Sequence, residues 1–256
     1  MRLLSTVAVA LAATVIEAAV VQNISPNANG ACPAVWTQVS SDLTALFLQA
    51  DGQCNDASRA AIRAAFHDCA TWTSSQGNTG GCDGSVILSA EENARVENKG
   101  LQNISSTLYN LAKLRAVGVA DMIAFAGAHA TLSCPLGPTT TVMIGRKDSN
   151  VTAPEGTLPG NASMSADTIL SLFADKGFSP ADVAALVGAH TSARQFFTDP
   201  SKAGEAEDRT PGIWDVDYYN DTFNKPDGVF VFQSDTALAE DFRSGLAFKL
   251  FIGQQE

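Results

Sequence analysis

The stretch Arg63-Ala-Ala-Phe66-His67-Asp68-Cys69 decides how this chain is read. The apolar spacing from Ser58 to Cys69 predicts a helix. On a helix, residues four apart share one face, so Arg63 and His67 point into the same space with Phe66 beside them. A fixed cation next to a proton acceptor suits the splitting of a polarised bond. The base moves the proton while the cation stabilises the departing oxygen. The chain has only three histidines. One of them, His190 in Ala185-Leu-Val-Gly-Ala-His190-Thr191, is placed to hold a metal while His67 works on a substrate.

Working outward, Gly77 to Gly84 reads as a glycine-rich turn. Ser105 to Arg115, Ala120 to Ala130 and Ser165 to Lys176 carry helical apolar spacing, and Pro135 to Pro159 reads as loop. Ser179-Pro180-Ala-Asp182 has the form of a helix start, with Ser179 as N-cap and Pro180 in the first turn. That helix is expected to run to about His190. Gly118-Val-Ala-Asp121 leads to His129 much as Ser179-Pro-Ala-Asp182 leads to His190, which makes His129 the rival metal ligand. Phe197 to Phe232 is polar and interrupted by Gly, Pro and Asp. A stretch with so little pattern needs something to order it, and a bound cation is the candidate.

The 256 residues are enough for one large or two small cores around a pocket. Alanine and leucine are abundant, which points to a mostly helical protein. The net charge of −11, with no basic patch, argues against nucleic-acid binding. It fits an exported protein or one that binds calcium. Met1 to about Ala18 reads as a signal peptide: Arg2 starts it, Leu3 to Ile16 is apolar, and Ala18-Ala19 is a small-residue exit. No later stretch is long enough to span a bilayer. Asn-x-Ser/Thr sequons at Asn23, Asn103, Asn150, Asn161 and Asn220 support a glycosylated, extracellular product. Export makes disulfides plausible, and the five cysteines leave one without a partner in the chain.

Arg63-x-x-Phe66-His67-Asp68-Cys69, Gly81-Cys82-Asp83-Gly84-Ser85 and Val187-Gly188-Ala189-His190-Thr191 together resemble the plant-type haem peroxidases. The secreted fungal class II branch fits best, and the resemblance runs from about Cys32 to the last residue. It implies an all-α, two-domain fold with haem b between a distal and a proximal helix. Residues 1–18 would be the leader, 19–150 the distal domain and 151–256 the proximal one.

By the same resemblance, His67 is the distal base that moves a proton of hydrogen peroxide. Arg63 stabilises the charge that develops as the O–O bond breaks, and Phe66 walls the pocket. Asn98 orients His67, with Glu92 in support. His190 is the axial iron ligand, and Asp235 in Gln233-Ser234-Asp235 accepts its other N–H. Asp235 read without the resemblance is equally a helix cap. Two calcium sites are implied: Asp68, Gly81, Asp83 and Ser85 on the distal side, and Thr191, Asp208, Thr210, Ile213 and Asp215 on the proximal side. These are the hard oxygen donors calcium prefers. The implied disulfides are Cys69–Cys82 and Cys54–Cys134. Cys32 is left over, because the family's partner cysteine lies beyond residue 256, and the chain reads as shortened at its C-terminus.

Departures from the family pattern bear on the reductant. Some lignin-degrading relatives carry a surface tryptophan where this chain has Ala185, and manganese oxidation needs three carboxylates where it has Asp56, Ala60 and Phe196. Glu207 stands where many relatives have an aromatic. The expected partners are hydrogen peroxide and small aromatic one-electron donors, with no nucleic acid, no membrane and a monomeric state. The alternatives are a non-catalytic exported haem- or calcium-binding protein on the same scaffold, and a zinc hydrolase using His67, Asp68 and His190.

Overall fold

The computed structural model describes residues 32–159 and 161–254. The expected leader and the sequon at Asn23 lie outside the described residues. Among those residues are eleven α-helices, a few short 3-10 turns and only isolated β-bridges. The fold is all-α. No described helix is long and apolar enough to cross a membrane.

The first core is built by α1 (Val35–Phe47), α2 (Asp56–Cys69), α5 (Gln102–Arg115) and α6 (Val119–Ser133), with the one-turn helices α3 (Ser85–Leu88) and α4 (Ala90–Asn93) beside them. Trp36, Leu43, Phe47, Leu108, Met122 and Ile123 are sealed in it, and each such side chain contributes about 1.5–3 kcal/mol by leaving water. α2 and α6 pack along their lengths. A Cβ at Gly127 would lie 2.5 Å from the Ala65 methyl, so only glycine lets these two helices approach this closely.

α2 begins at Asp56, two residues before its apolar pattern, because Asn55 accepts from Ala57 N at 2.9 Å and Ser58 N at 3.1 Å. α6 has no cap of its own. Asp148, from the long loop that follows, accepts from Val119 N and Ala120 N, both at 2.9 Å.

The second core gathers α7 (Ala166–Ala174), α8 (Pro180–Val187), α9 (Asp217–Asn224), α10 (Gln233–Glu240) and α11 (Gly245–Phe251) around Phe173, Val183, Tyr218, Tyr219, Leu238 and Phe248. Ser179 and Asp182 form a capping box with Pro180 at the first position of α8, as the sequence signals. The helix stops at Val187, however, and His190 lies in the 3-10 segment Gly188–Ser192. Tyr219 packs against this turn. Its hydroxyl donates to Ala184 O at 3.0 Å and Ala185 O at 3.3 Å, on the carbonyls a further α-turn would use. A Cβ at Gly188 would lie 2.3 Å from that hydroxyl.

The stretch from Phe197 to Phe232 is also more regular than its sequence suggests. It holds α9, an eight-residue helix that buries only Tyr218, Tyr219, Asp221 and Thr222.

Two disulfides brace the first core. Cys54–Cys134 joins the approach to α2 with the end of α6, and Cys69–Cys82 joins the end of α2 to the glycine-rich turn. Cys32 is free and half-buried.

Candidate active site

α2 places Arg63 and His67 one turn apart, and Arg63 Nε lies 3.3 Å from His67 Nε2. A guanidinium can only donate, so Nε2 accepts. His67 Nδ1 therefore carries the proton and donates to Asn98 Oδ1 at 2.7 Å. Asn98 in turn donates to the backbone carbonyl of Glu92 at 2.7 Å, which fixes the amide's orientation. Glu92 thus supports Asn98 through its backbone. Its side chain is used elsewhere, accepting from Ala153 N at 2.8 Å. Two further Arg63 donors reach Lys99 O at 2.9 Å and Glu97 O at 2.7 Å. Burial, reinforced by the Arg63 charge, pushes His67 down to about 3 despite the bond to Asn98. Phe66 is exposed, edge-on to His67 and stacked on Phe173 of the second core, with ring centroids 6.2 Å apart.

On the other side, His190 Nδ1 lies 2.9 Å from Asp235 Oδ2 and 3.1 Å from Glu207 Oε2. Asp235 sits within the first turn of α10 and so does not cap it from outside. Tyr218 and Phe232 hold the imidazole edge-on, at 5.7 and 5.9 Å between centroids. Burial works against a charge on this ring, but Asp235 and then Glu207 outweigh it and lift His190 to about 9. Burial pushes Glu207 up to about 8 against the pull of His190. With Nδ1 engaged and the side chain still 36% exposed, Nε2 is the nitrogen left for a ligand.

His129 lies in the first core. Its Nε2 is 2.9 Å from Thr44 Oγ1, and its ring stacks on Phe125. Burial holds it down at about 4, so it is a core histidine.

Two oxygen-rich clusters adjoin the histidines. Asp68 Oδ2 accepts from Gly84 N at 3.0 Å, and Asp83 Oδ1 from Ser85 N at 3.1 Å; the Cys69–Cys82 bond closes the loop. Burial, and to a lesser extent Asp83, raises Asp68 to about 8. Thr191 donates to Asp208 at 2.5 Å, Thr210 donates to Asp215 at 2.7 Å, and Ile213 N donates to Thr210 O at 2.9 Å. Burial and the neighbouring Asp215 raise Asp208 to about 7.

The family model described as peroxidase matches residues 39–249. The chain belongs to the peroxidase family. It is similar to manganese peroxidase 3 of Phlebia radiata, with 30% identity over 98% of this chain and 75% of that protein. The low-redox potential peroxidase of Taiwanofungus camphoratus is 32% identical over 86% of this chain and 68% of its own length. Ligninase LG2 of Phanerodontia chrysosporium is 30% identical over 99% and 76%. This is a haem peroxidase of the plant-type superfamily, in its fungal branch, and it uses hydrogen peroxide.

The peroxidase's residues fit the haem that membership implies: one imidazole is oriented through Nδ1 with Nε2 left for a ligand. The acidic clusters fit a hard cation, since every donor is oxygen and each cluster holds a carboxylate raised chiefly by burial. His67, Asp68 and His190 do not form a group with ligand atoms within reach of one another among the described residues, which speaks against the zinc-hydrolase arrangement. The group of metal-capable side chains found among the described residues is His190, Glu207 and Asp235. The contact of Glu207 with His190 was not legible in the sequence, since it closes a separation of seventeen positions through an irregular loop.

Proposed function

We propose that this peroxidase is a secreted, haem b-containing enzyme that reduces hydrogen peroxide and oxidises small phenolic donors. Bound haem supplies the iron centre at which peroxide is reduced and donors are oxidised. His190 holds that group through Nε2, while Asp235 fixes the ring and strengthens it as a donor by accepting Nδ1–H. On the facing side, His67 Nε2 takes a proton from peroxide and returns it to the departing oxygen. Arg63 neutralises the charge that builds on that oxygen. Asn98 keeps the Nδ1–H tautomer, so that Nε2 stays an acceptor. Phe66 limits what else can approach.

The observation that carries this reading is the chain from Arg63 through His67 to Asn98, which leaves a buried, neutral imidazole with a fixed cation beside its acceptor nitrogen. Asp68, Asp83, Ser85 and the Gly81 carbonyl are assigned to one calcium ion. Thr191, Asp208, Thr210, Asp215 and the Ile213 carbonyl are assigned to a second. Each anchors the residue next to a functional histidine.

The choice of phenols rests on side chains. Asp56 is the lone carboxylate among Asp56, Ala60 and Phe196, and it is paired with Arg59 at 2.7 Å. Ala185 offers no indole at the surface. Extracellular location is supported by the apolar leader at 1–18 and by sequons at Asn103, Asn150 and Asn161, all exposed. A division into a distal and a proximal domain near residue 150 is supported by the two separate cores, whose residues run up to Ile144 and start from Met164.

The test is an absorption spectrum of the haem-loaded protein before and after one equivalent of peroxide, for the parent and His190→Ala. The parent spectrum should convert and then return on adding a phenol, and His190→Ala should lose the parent's axial signature. Haem uptake without any response to peroxide would overturn the reading.

A further inference from the structure

His190 Nδ1 is approached by two carboxyl groups rather than one. Asp235 Oδ2 stands at 2.9 Å and Glu207 Oε2 at 3.1 Å, and these side chains are 2% and 3% exposed. A single N–H aims well at one acceptor, and here it aims at Asp235. Glu207 Oε2 is left buried with no hydrogen bond among the described residues. A buried carboxyl oxygen without a donor is destabilising, so its place beside a ring nitrogen needs an explanation. The backbone holds it there: Glu207 N donates to Ala193 O at 3.1 Å, just past the His190 turn. The next residue, Asp208, is tied to Thr191. The ring cannot drift towards its flanks either, since Tyr218 and Phe232 meet it edge-on.

Resting on the reading of His190 as the haem ligand, we propose that Glu207 is a second positioning residue for that imidazole. Its Oε2 is an alternative acceptor for Nδ1–H. The two acceptors bracket the N–H, so a small turn of the ring passes the hydrogen bond from Asp235 towards Glu207 instead of breaking it. The ring is confined to the arc between them, and its Nε2 donates more strongly, and in a narrower range of directions, than Asp235 alone would enforce.

The test is the iron–histidine stretching band of the ferrous, haem-loaded full chain by resonance Raman spectroscopy, with Asp235→Asn as the benchmark. Removing an acceptor from Nδ1–H weakens the imidazole as a donor and lowers the band. Glu207→Leu should therefore lower and broaden it, while Glu207→Gln, which keeps an oxygen acceptor at the same reach, should restore most of the parent position. If Glu207→Leu does not take up haem, Glu207→Asp, which withdraws the oxygen by one methylene, should give the same lowering. A band that stays put in the Glu207 variants but moves in Asp235→Asn overturns the inference and leaves the ligand reading intact. A band that rises in Glu207→Leu overturns it too, because Glu207 would then be weakening Asp235 as an acceptor. Absence of the band in the parent sinks the ligand reading and this inference together.

Discussion

Arg63 Nε and His67 Nε2 stand 3.3 Å apart on successive turns of one helix, and only the arginine can donate. The imidazole therefore faces the pocket as a lone pair beside a fixed charge, and burial then the Arg63 charge hold it near 3 instead of its ordinary 6.5. The rate of reaction with peroxide should be level from pH 7 down to about 4 and fall as pH approaches about 3. Stopped-flow mixing across that range checks it, and a midpoint near 6 would count against the geometry.

The same shift has a consequence for stability. Above pH 6.5 His67 is neutral in the folded and unfolded chain, and its contribution is fully present. As pH falls from about 6.5 to about 3, the unfolded chain takes up the proton first and stability declines; below about 3 this contribution is flat. Urea midpoints should drop over that window in the parent and drop less in His67→Leu.

Asn98→Leu leaves the His67 Nδ1–H buried without its acceptor. The expected result is a loss of about 1–3 kcal/mol in stability and about a tenfold to hundredfold slower reaction with peroxide. Asn98→Asp, which keeps an acceptor oxygen, should react faster than Asn98→Leu. Equal rates for the two variants would show that the bond does not orient the ring.

Asp68 and Asp208 are raised to about 8 and 7 when no cation sits beside them. A cation is held by the ionised forms, so affinity should climb as pH rises through about 7 to 8. Adding calcium to the chelated protein near pH 7 should release protons. A pH electrode in weakly buffered solution reads this directly, and chelation should lower the thermal midpoint.

The disulfides close loops of different size, with separations of 80 and 13 residues. Chain entropy assigns about 4–5 kcal/mol to Cys54–Cys134 and about 3 kcal/mol to Cys69–Cys82. Paired Cys→Ala variants in urea should follow that order. The Cys69/Cys82 variant should be the more sensitive to chelation, since that bond closes the loop carrying Asp83 and Ser85.

What was legible in the sequence was local chemistry at fixed spacing. Arg63 and His67 could be paired because four residues on a helix fix their geometry, and Ser179-Pro180 announced its helix because a cap is a local device. The stop at Val187 was not legible, and neither was the packing on that turn of Tyr219, which reaches back across more than thirty residues to the carbonyls at 184 and 185. α9 was hidden for a related reason: two of the four residues it buries, Asp221 and Thr222, are polar, so no plain apolar stripe marks it. Glu92 could be set beside Asn98, but that it acts through its backbone carbonyl was not legible, since sequence does not tell a backbone carbonyl from a side chain. Glu207 could be placed next to Asp208, but its closeness to His190 depends on how the intervening loop folds back.

The most direct measurement of the central claim is the second-order rate of the haem-loaded protein with peroxide for the parent and His67→Leu, each with its resting spectrum recorded. Two opposed histidines predict an unchanged axial signature from His190 and a rate lower by about 10²- to 10⁴-fold, the usual contribution of a positioned base. An unaltered rate in His67→Leu would contradict the account.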